Sequence, residues 1–139
     1  MTTARDVMNR GVQCIAEYQT LFDAASYMKN LGIGCLPIQS SDGSLVGMVT
    51  DRDIVIKCVA EGADPAGTAA GTLATGEVQT VEAATEIGDV LSVMRHHQVK
   101  RLPVLSDGTL VGMISESDLV AALSPDEVAS FAEGVYKRD

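Results

Sequence analysis

"LVGMVTDRDIV", residues 45–55, has a near-copy in "LVGMISESDLV", residues 110–120. Each reads as an apolar strand running into Thr or Ser, two residues, then Asp. Taken alone, the Thr/Ser-x-x-Asp unit is a helix start. Thr50 or Ser115 stands at the N-cap with Asp53 or Asp118 three positions later, the form of a capping box. Repeated at the ends of two matching strands, it also has the form of half a ligand site used twice.

The match extends outward from this stretch. "GCLPIQSSDGSLVGMVTDRDIV", from Gly34, aligns with "KRLPVLSDGTLVGMISESDLV", from Lys100. Leu36 and Leu102 stand 66 positions apart, as do Pro37 and Pro103. Beyond the turn the offset drops to 65, because "SSDG" in the first copy is "SDG" in the second. Upstream, Val12-Gln13 matches Val78-Gln79, and Met28 matches Met94. The chain is therefore an internal repeat. It divides into a first copy over 1–62, an Ala/Gly-rich connection over 63–70, a second copy over 71–123 and a final segment over 124–139.

Both copies give the same elements. A short strand, Val12–Ile15 or Val78–Val81, leads into an amphipathic helix. Leu21, Ala24, Ala25 and Met28 share one helical face, as do Ile87, Val90, Leu91 and Met94. Two more strands follow, 35–39 with 45–50 and 101–105 with 110–115, each pair joined at an Asp-Gly turn. A second helix starts after Thr50 or Ser115. A unit of this size cannot bury its apolar face alone, so the expected fold is α/β (α+β). It comprises two β-α-β-β-α units packed around a pseudo-twofold axis. In the last segment, Ser124, Pro125 and Glu127 form a capping-box start. Val128, Phe131, Ala132 and Val135 supply its apolar face, expected to dock on the chain's own module.

Composition narrows the function. Ten basic against nineteen acidic residues give a net charge of −9, with no basic stripe interleaved with aromatics. Such a surface repels a phosphate backbone, which argues against nucleic-acid binding. No apolar run approaches the roughly 20 residues needed to span a membrane. "MTTARDVMNRG" carries charges where a signal peptide would be apolar, so a cytoplasmic location is expected. Cys14, Cys35 and Cys58 lack metal-ligand spacing and read as small buried hydrophobes. His96 and His97 are adjacent, so on a helix they diverge by about 100° and do not easily share a metal. They read as helix-end residues favouring the negative end of the dipole. No nucleophile–base pair or glycine-rich phosphate loop is present, and an enzyme is the least supported class.

The paired aspartates are the sharper signal. An ionised carboxylate only accepts, so its natural ligand partner is a donor such as a ribose diol. Asp51 and Asp53 would repel a phosphate seated directly on the helix start. Lys100 and Arg101, adjacent cations before the second Leu-Pro-Val strand, are the candidates for phosphate. The first copy has Gly34 and Cys35 at those positions, leaving room for a flat base. The two candidate clefts are therefore not equivalent.

This tandem pattern resembles a pair of CBS domains, the Bateman module, over about residues 4 to 123. "MTTARDVM" and "TDRDIVIK" also resemble the small stand-alone proteins of that family. The resemblance implies homodimerisation and an adenosyl ligand (AMP, ADP, ATP or S-adenosylmethionine) in clefts between the units. It makes Asp53 and Asp118 the ribose-binding aspartates and Thr50 and Ser115 their hydroxyl neighbours. It assigns Asn9 and Cys14 to the base pocket of the first cleft, Gly34 and Cys35 to backbone contacts beside the base, and Lys100 and Arg101 to phosphate. For the second cleft the matching positions are Thr75, Thr80, Lys100 and Arg101. With no effector domain in the repeat, the signal would pass to a separate protein. The competing reading is a structural or redox-responsive homodimer, in which oxidation of Cys14 and Cys35 takes the place of a ligand.

Overall fold

The computed structural model describes residues 2–74 and 78–135. It is a mixed α/β fold with two three-stranded sheets. Two compact units are present. One is Gln13–Val78, called here the Asp53 unit; the other joins the residues up to Val12 to those from Gln79 onward, the Asp118 unit.

In the Asp53 unit, β1 (Ile15–Ala16), α2 (Leu21–Leu31), β2 (Cys35–Gln39) and β3 (Leu45–Thr50) are followed by α3 (Asp51–Ile54). α3 continues as one π-helical turn, Val55–Val59. The sheet order is β1-β2-β3, with β1 parallel to β2 and β3 antiparallel to it. The first strand starts later than the apolar pattern predicts, because only Ile15 and Ala16 pair with β2. Leu21, Ala24 and Met28 of α2 are buried against Leu36, Ile38 and Val49 of the sheet, while Ala25 is exposed. Two 3-10 turns, Pro65–Gly67 and Ala70–Leu73, close the unit.

The Asp118 unit repeats this plan. α1 (Ala4–Val7) precedes β4 (Val81–Glu82), α4 (Ile87–His97), β5 (Arg101–Ser106), β6 (Thr109–Ser115) and α5 (Glu116–Ala122), with sheet order β4-β5-β6. Val90, Leu91 and Met94 of α4 are buried with Leu102, Val104 and Ile114. α6 (Pro125–Val135) lies along α4 of the same unit. Its start is the expected box: Ser124 N–H donates to Glu127 Oε1 at 3.0 Å, and Glu127 N–H donates to Ser124 Oγ at 3.3 Å. The side chains of Phe131, Ala132 and Val135 lie outside those described.

The one-residue difference between the hairpins has a structural consequence. In the second, Asp107 and Gly108 sit at φ 51° and 81° between Ser106 and Thr109, a two-residue turn of the I′ kind. In the first, the extra Ser lengthens the loop between Gln39 and Leu45, and Gly43 takes φ 87°. The Asp42 carboxylate there accepts from Ser40 Oγ and from Ser44 N–H.

The two compact units divide the chain after Val12 and after Val78. Residues 2–12 belong by position to the first copy but pack on the second. Ile87 N–H donates to Thr2 O at 3.0 Å, Ala4 N–H to Thr85 O at 2.8 Å and Arg5 N–H to Ala83 O at 3.0 Å. The segment at 68–74 does the same for the first copy, through Leu21 N–H to Thr68 O at 2.9 Å, Ala70 N–H to Gln19 O at 2.7 Å and Gly71 N–H to Glu17 O at 2.9 Å. Thr2 and Thr68, Ala4 and Ala70, and Arg5 and Gly71 are each one 66-residue repeat apart. The stretch expected as a connection is thus a structural part of the Asp53 unit. Gly47 and Gly112 make the docking possible. A Cβ on Gly47 would lie 2.7 Å from Ala74 Cβ, and one on Gly112 would lie 2.8 Å from Asn9 O.

Candidate functional site

At the end of β3, Cys35 pairs with Thr50, which sets Gly34 and Cys35 beside the start of α3. Asp51 N–H donates to Gly34 O at 3.0 Å. A Cβ at Gly34 would come within 3.1 Å of Asp51 Oδ2, so the glycine makes room for that carboxylate. Thr50 N–H donates to Asp53 Oδ2 at 3.0 Å, and Asp53 N–H donates to Thr50 Oγ1 at 3.0 Å. The other oxygen, Oδ1, faces Lys57 Nζ at 3.5 Å, one helical turn on. Asp53 keeps 26% of its side-chain surface exposed and Lys57 keeps 51%. Such an exposed pair contributes little to stability, and the lysine is at liberty to swing away. Cys14 enters β1 at the same end of the sheet and is half-buried; burial pushes its thiol pKa up.

The Asp118 unit repeats the frame with different contents. Arg101 pairs with Ser115, and Glu116 N–H donates to Lys100 O at 2.9 Å, as Asp51 does to Gly34. Asp118 Oδ2 accepts from Ser115 N–H at 2.8 Å, from Ser115 Oγ at 2.9 Å and from Asn9 Nδ2 at 2.8 Å. Ser117 Oγ lies 2.8 Å from Ser115 Oγ. Lys100 and Arg101 are exposed, and Thr80 is half-buried just before β4. Thr75 lies outside the described residues.

The structure therefore gathers Cys14, Gly34, Cys35, Thr50 and Asp53 in one unit and Asn9, Thr80, Lys100, Arg101, Ser115 and Asp118 in the other. Asn9 is the departure. Its place just ahead of the first strand assigns it to the cleft of Asp53, but its amide is bonded to Asp118. The cause is the exchange of lead-in segments, fixed at this point by Asn9 N–H to Met113 O at 2.8 Å and Met113 N–H to Asn9 O at 3.0 Å. Lys57 is not among the residues that the repeat singles out, although its i,i+4 spacing from Asp53 signals an ion pair.

The capping reading also holds. Thr50–Asp53 and Ser115–Asp118 both form capping boxes, and so do Thr3–Asp6 and Thr20–Asp23. A Thr/Ser-x-x-Asp box is thus this chain's ordinary way of starting a helix. Among the described residues no three His, Cys, Asp or Glu side chains gather as a metal-ligand set. His96 and His97 are exposed in the last turn of α4, their rings edge to face with centroids 4.7 Å apart. No described helix is long and apolar enough to cross a membrane.

The family profile of the CBS domain matches twice, over residues 4–59 and 70–125. The chain belongs to the CBS domain family. It is 47% identical to hypoxic response protein 1 of Mycobacterium tuberculosis over 135 residues, 97% of this chain and 94% of that one. A crystal structure of Hypoxic Response Protein I, described with two coordinated zinc ions, superposes with a TM-score of 0.81 at 49% identity, covering 88% of this chain and all of that one. CBSX2, crystallised in complex with AMP, has the same fold at 23% identity, with a TM-score of 0.75 over 88% of this chain and 96% of its own. As a tandem CBS protein, the chain is a regulatory or signalling module.

Proposed function

We propose that this CBS pair senses an adenosyl ligand, AMP, ADP, ATP or S-adenosylmethionine, and that Asp53 accepts its ribose hydroxyls. The observation that carries the reading is the open acceptor capacity of Asp53, not its capping box, which other helices share. A carboxylate offers about four lone-pair sites. Among the described residues, one backbone N–H occupies Oδ2, and Oδ1 has only the exposed Lys57 at 3.5 Å. When Lys57 turns away, both oxygens can take a vicinal diol, one hydroxyl each. Ligand binding would then bias the packing of the module by unequal affinity for two states, and a separate effector protein would read the change. The AMP complex of CBSX2 supports the reading at the level of fold.

A redox switch at Cys14 and Cys35 has weaker support. The raised thiol pKa of Cys14 leaves little of the thiolate that oxidation requires. Titration calorimetry with the four adenosyl compounds tests the proposal, with zinc chloride as a separate arm. Saturable binding by the wild type that is lost in Asp53→Ala is the expected result. Binding that survives Asp53→Ala unchanged would refute the assignment, and a response to zinc alone would redirect it to metal.

A further inference from the structure

The two aspartates differ in what already holds them. Asp118 Oδ2 receives three donors: Ser115 N–H, Ser115 Oγ and the Asn9 amide. A carboxylate oxygen has two lone pairs, so this oxygen has no capacity left for a ligand hydroxyl. A vicinal diol spans both oxygens of a carboxylate, and Asp118 can offer it only Oδ1.

From this we infer that Asn9 latches Asp118 shut and leaves Asp53 as the one diol-binding aspartate of the chain; the inference rests on the ribose-binding reading above. Asn9 is a latch of a particular kind. Its backbone is tied to Met113 in both directions, so its amide stays poised over the carboxylate. A neutral amide donates without supplying charge, and among the described residues no cation comes within salt-bridge distance of Asp118. Asp53 has the opposite arrangement, a mobile cation and an unsaturated carboxylate. The position one turn after Asp118, equivalent to Lys57, is Ala122. The repeat thus contains one open site and one closed site, and the closing residue comes from the exchanged lead-in segment.

AMP titration of the full chain separates the possibilities, using wild type, Asp53→Ala, Asn9→Ala, Asn9→Thr and the double variant Asn9→Ala/Asp53→Ala. Thr is the residue at the equivalent position 75, so Asn9→Thr guards against a variant that fails to fold. One site per chain is expected in the wild type, with none in Asp53→Ala. Either Asn9 variant gains a second site, tightened at least about tenfold relative to wild type by removal of the competing charge-assisted bond. The double variant keeps that second site, and a further Asp118→Ala removes it. Two equal sites in the wild type would overturn the latch, as would a double variant as silent as Asp53→Ala. In both cases the wild type still binds, so ribose recognition survives. A wild type that binds no AMP overturns both readings together.

Discussion

A Cβ on Gly112 would sit 2.5 Å from Met8 Sδ and 2.8 Å from the backbone oxygen of Asn9. The lead-in segment docks on β6 only because position 112 carries no side chain. A methionine can move aside, but a backbone oxygen bonded to Met113 cannot do so cheaply. Gly112→Ala should therefore destabilise the chain by about 1–3 kcal/mol, the usual cost of overpacking. Gly88, the second residue of α4, where an added Cβ meets nothing within 4 Å beyond its chain neighbours and its own helix backbone, should respond in the opposite sense. Gly88→Ala is expected to stabilise by about 0.5–1 kcal/mol through helix propensity. Urea unfolding of the two variants checks both, and a neutral Gly112→Ala would show that the close approach is not needed.

Capping and ligand binding by Asp53 can be separated by a control within the same chain. Asp23 closes the box at α2 as Asp53 does at α3, with Thr20 N–H to Asp23 Oδ2 at 3.1 Å. Asp23→Ala and Asp53→Ala should each lose about 1 kcal/mol of stability, the usual scale of a lost cap. Only Asp53→Ala should lose adenosyl binding. Paired melting and titration measurements decide it: equal loss of binding in both variants would mean that Asp53 acts through the fold alone.

The first hairpin should make stability depend on pH in strongly acid solution. Hydrogen bonds from the Ser40 hydroxyl and from Ser44 hold the Asp42 pKa at about 2, below its ordinary 3.8. A depressed folded-state pKa adds stability that is fully present above pH 3.8 and disappears as pH falls towards 2. Asp42→Asn retains a turn-forming acceptor but cannot titrate. Its melting temperature should lie below that of the wild type at neutral pH and converge with it near pH 2. A gap that stays constant across that range would show that Asp42 contributes through shape and not charge.

Most of the architecture was legible because the repeat announces itself. Apart from α1, the α-helices, the Leu-Pro strands and the two-residue Asp107-Gly108 turn follow from apolar period, caps and turn chemistry. The capping boxes at Thr50, Ser115 and Ser124 follow from spacing alone. The exchange of lead-in segments was not legible. Residues 2–12 and 68–74 are themselves repeat equivalents, so each fits either copy by pattern, and only the tertiary packing at Gly47 and Gly112 shows which one it joins. Asn9, which the resemblance assigns to the first cleft, bonds Asp118 for that reason. The state of each carboxylate was also hidden, because saturation of Asp118 depends on a contact between residues 109 positions apart.

The cations expected to meet phosphate, Lys100 and Arg101, stand exposed at the start of β5. Their loss should weaken AMP binding while adenosine, which has no phosphate, binds as before. Lys100→Ala/Arg101→Ala is expected to lower AMP affinity by about tenfold or more, the scale of a charge-assisted bond. Wild-type AMP affinity should also fall between low and physiological salt, since exposed charges are screened over about 8–10 Å. Competition titrations of AMP and adenosine at two salt concentrations measure both effects. Equal weakening of AMP and adenosine in the double variant would place the two residues outside phosphate recognition and return them to the solvated edge of β5.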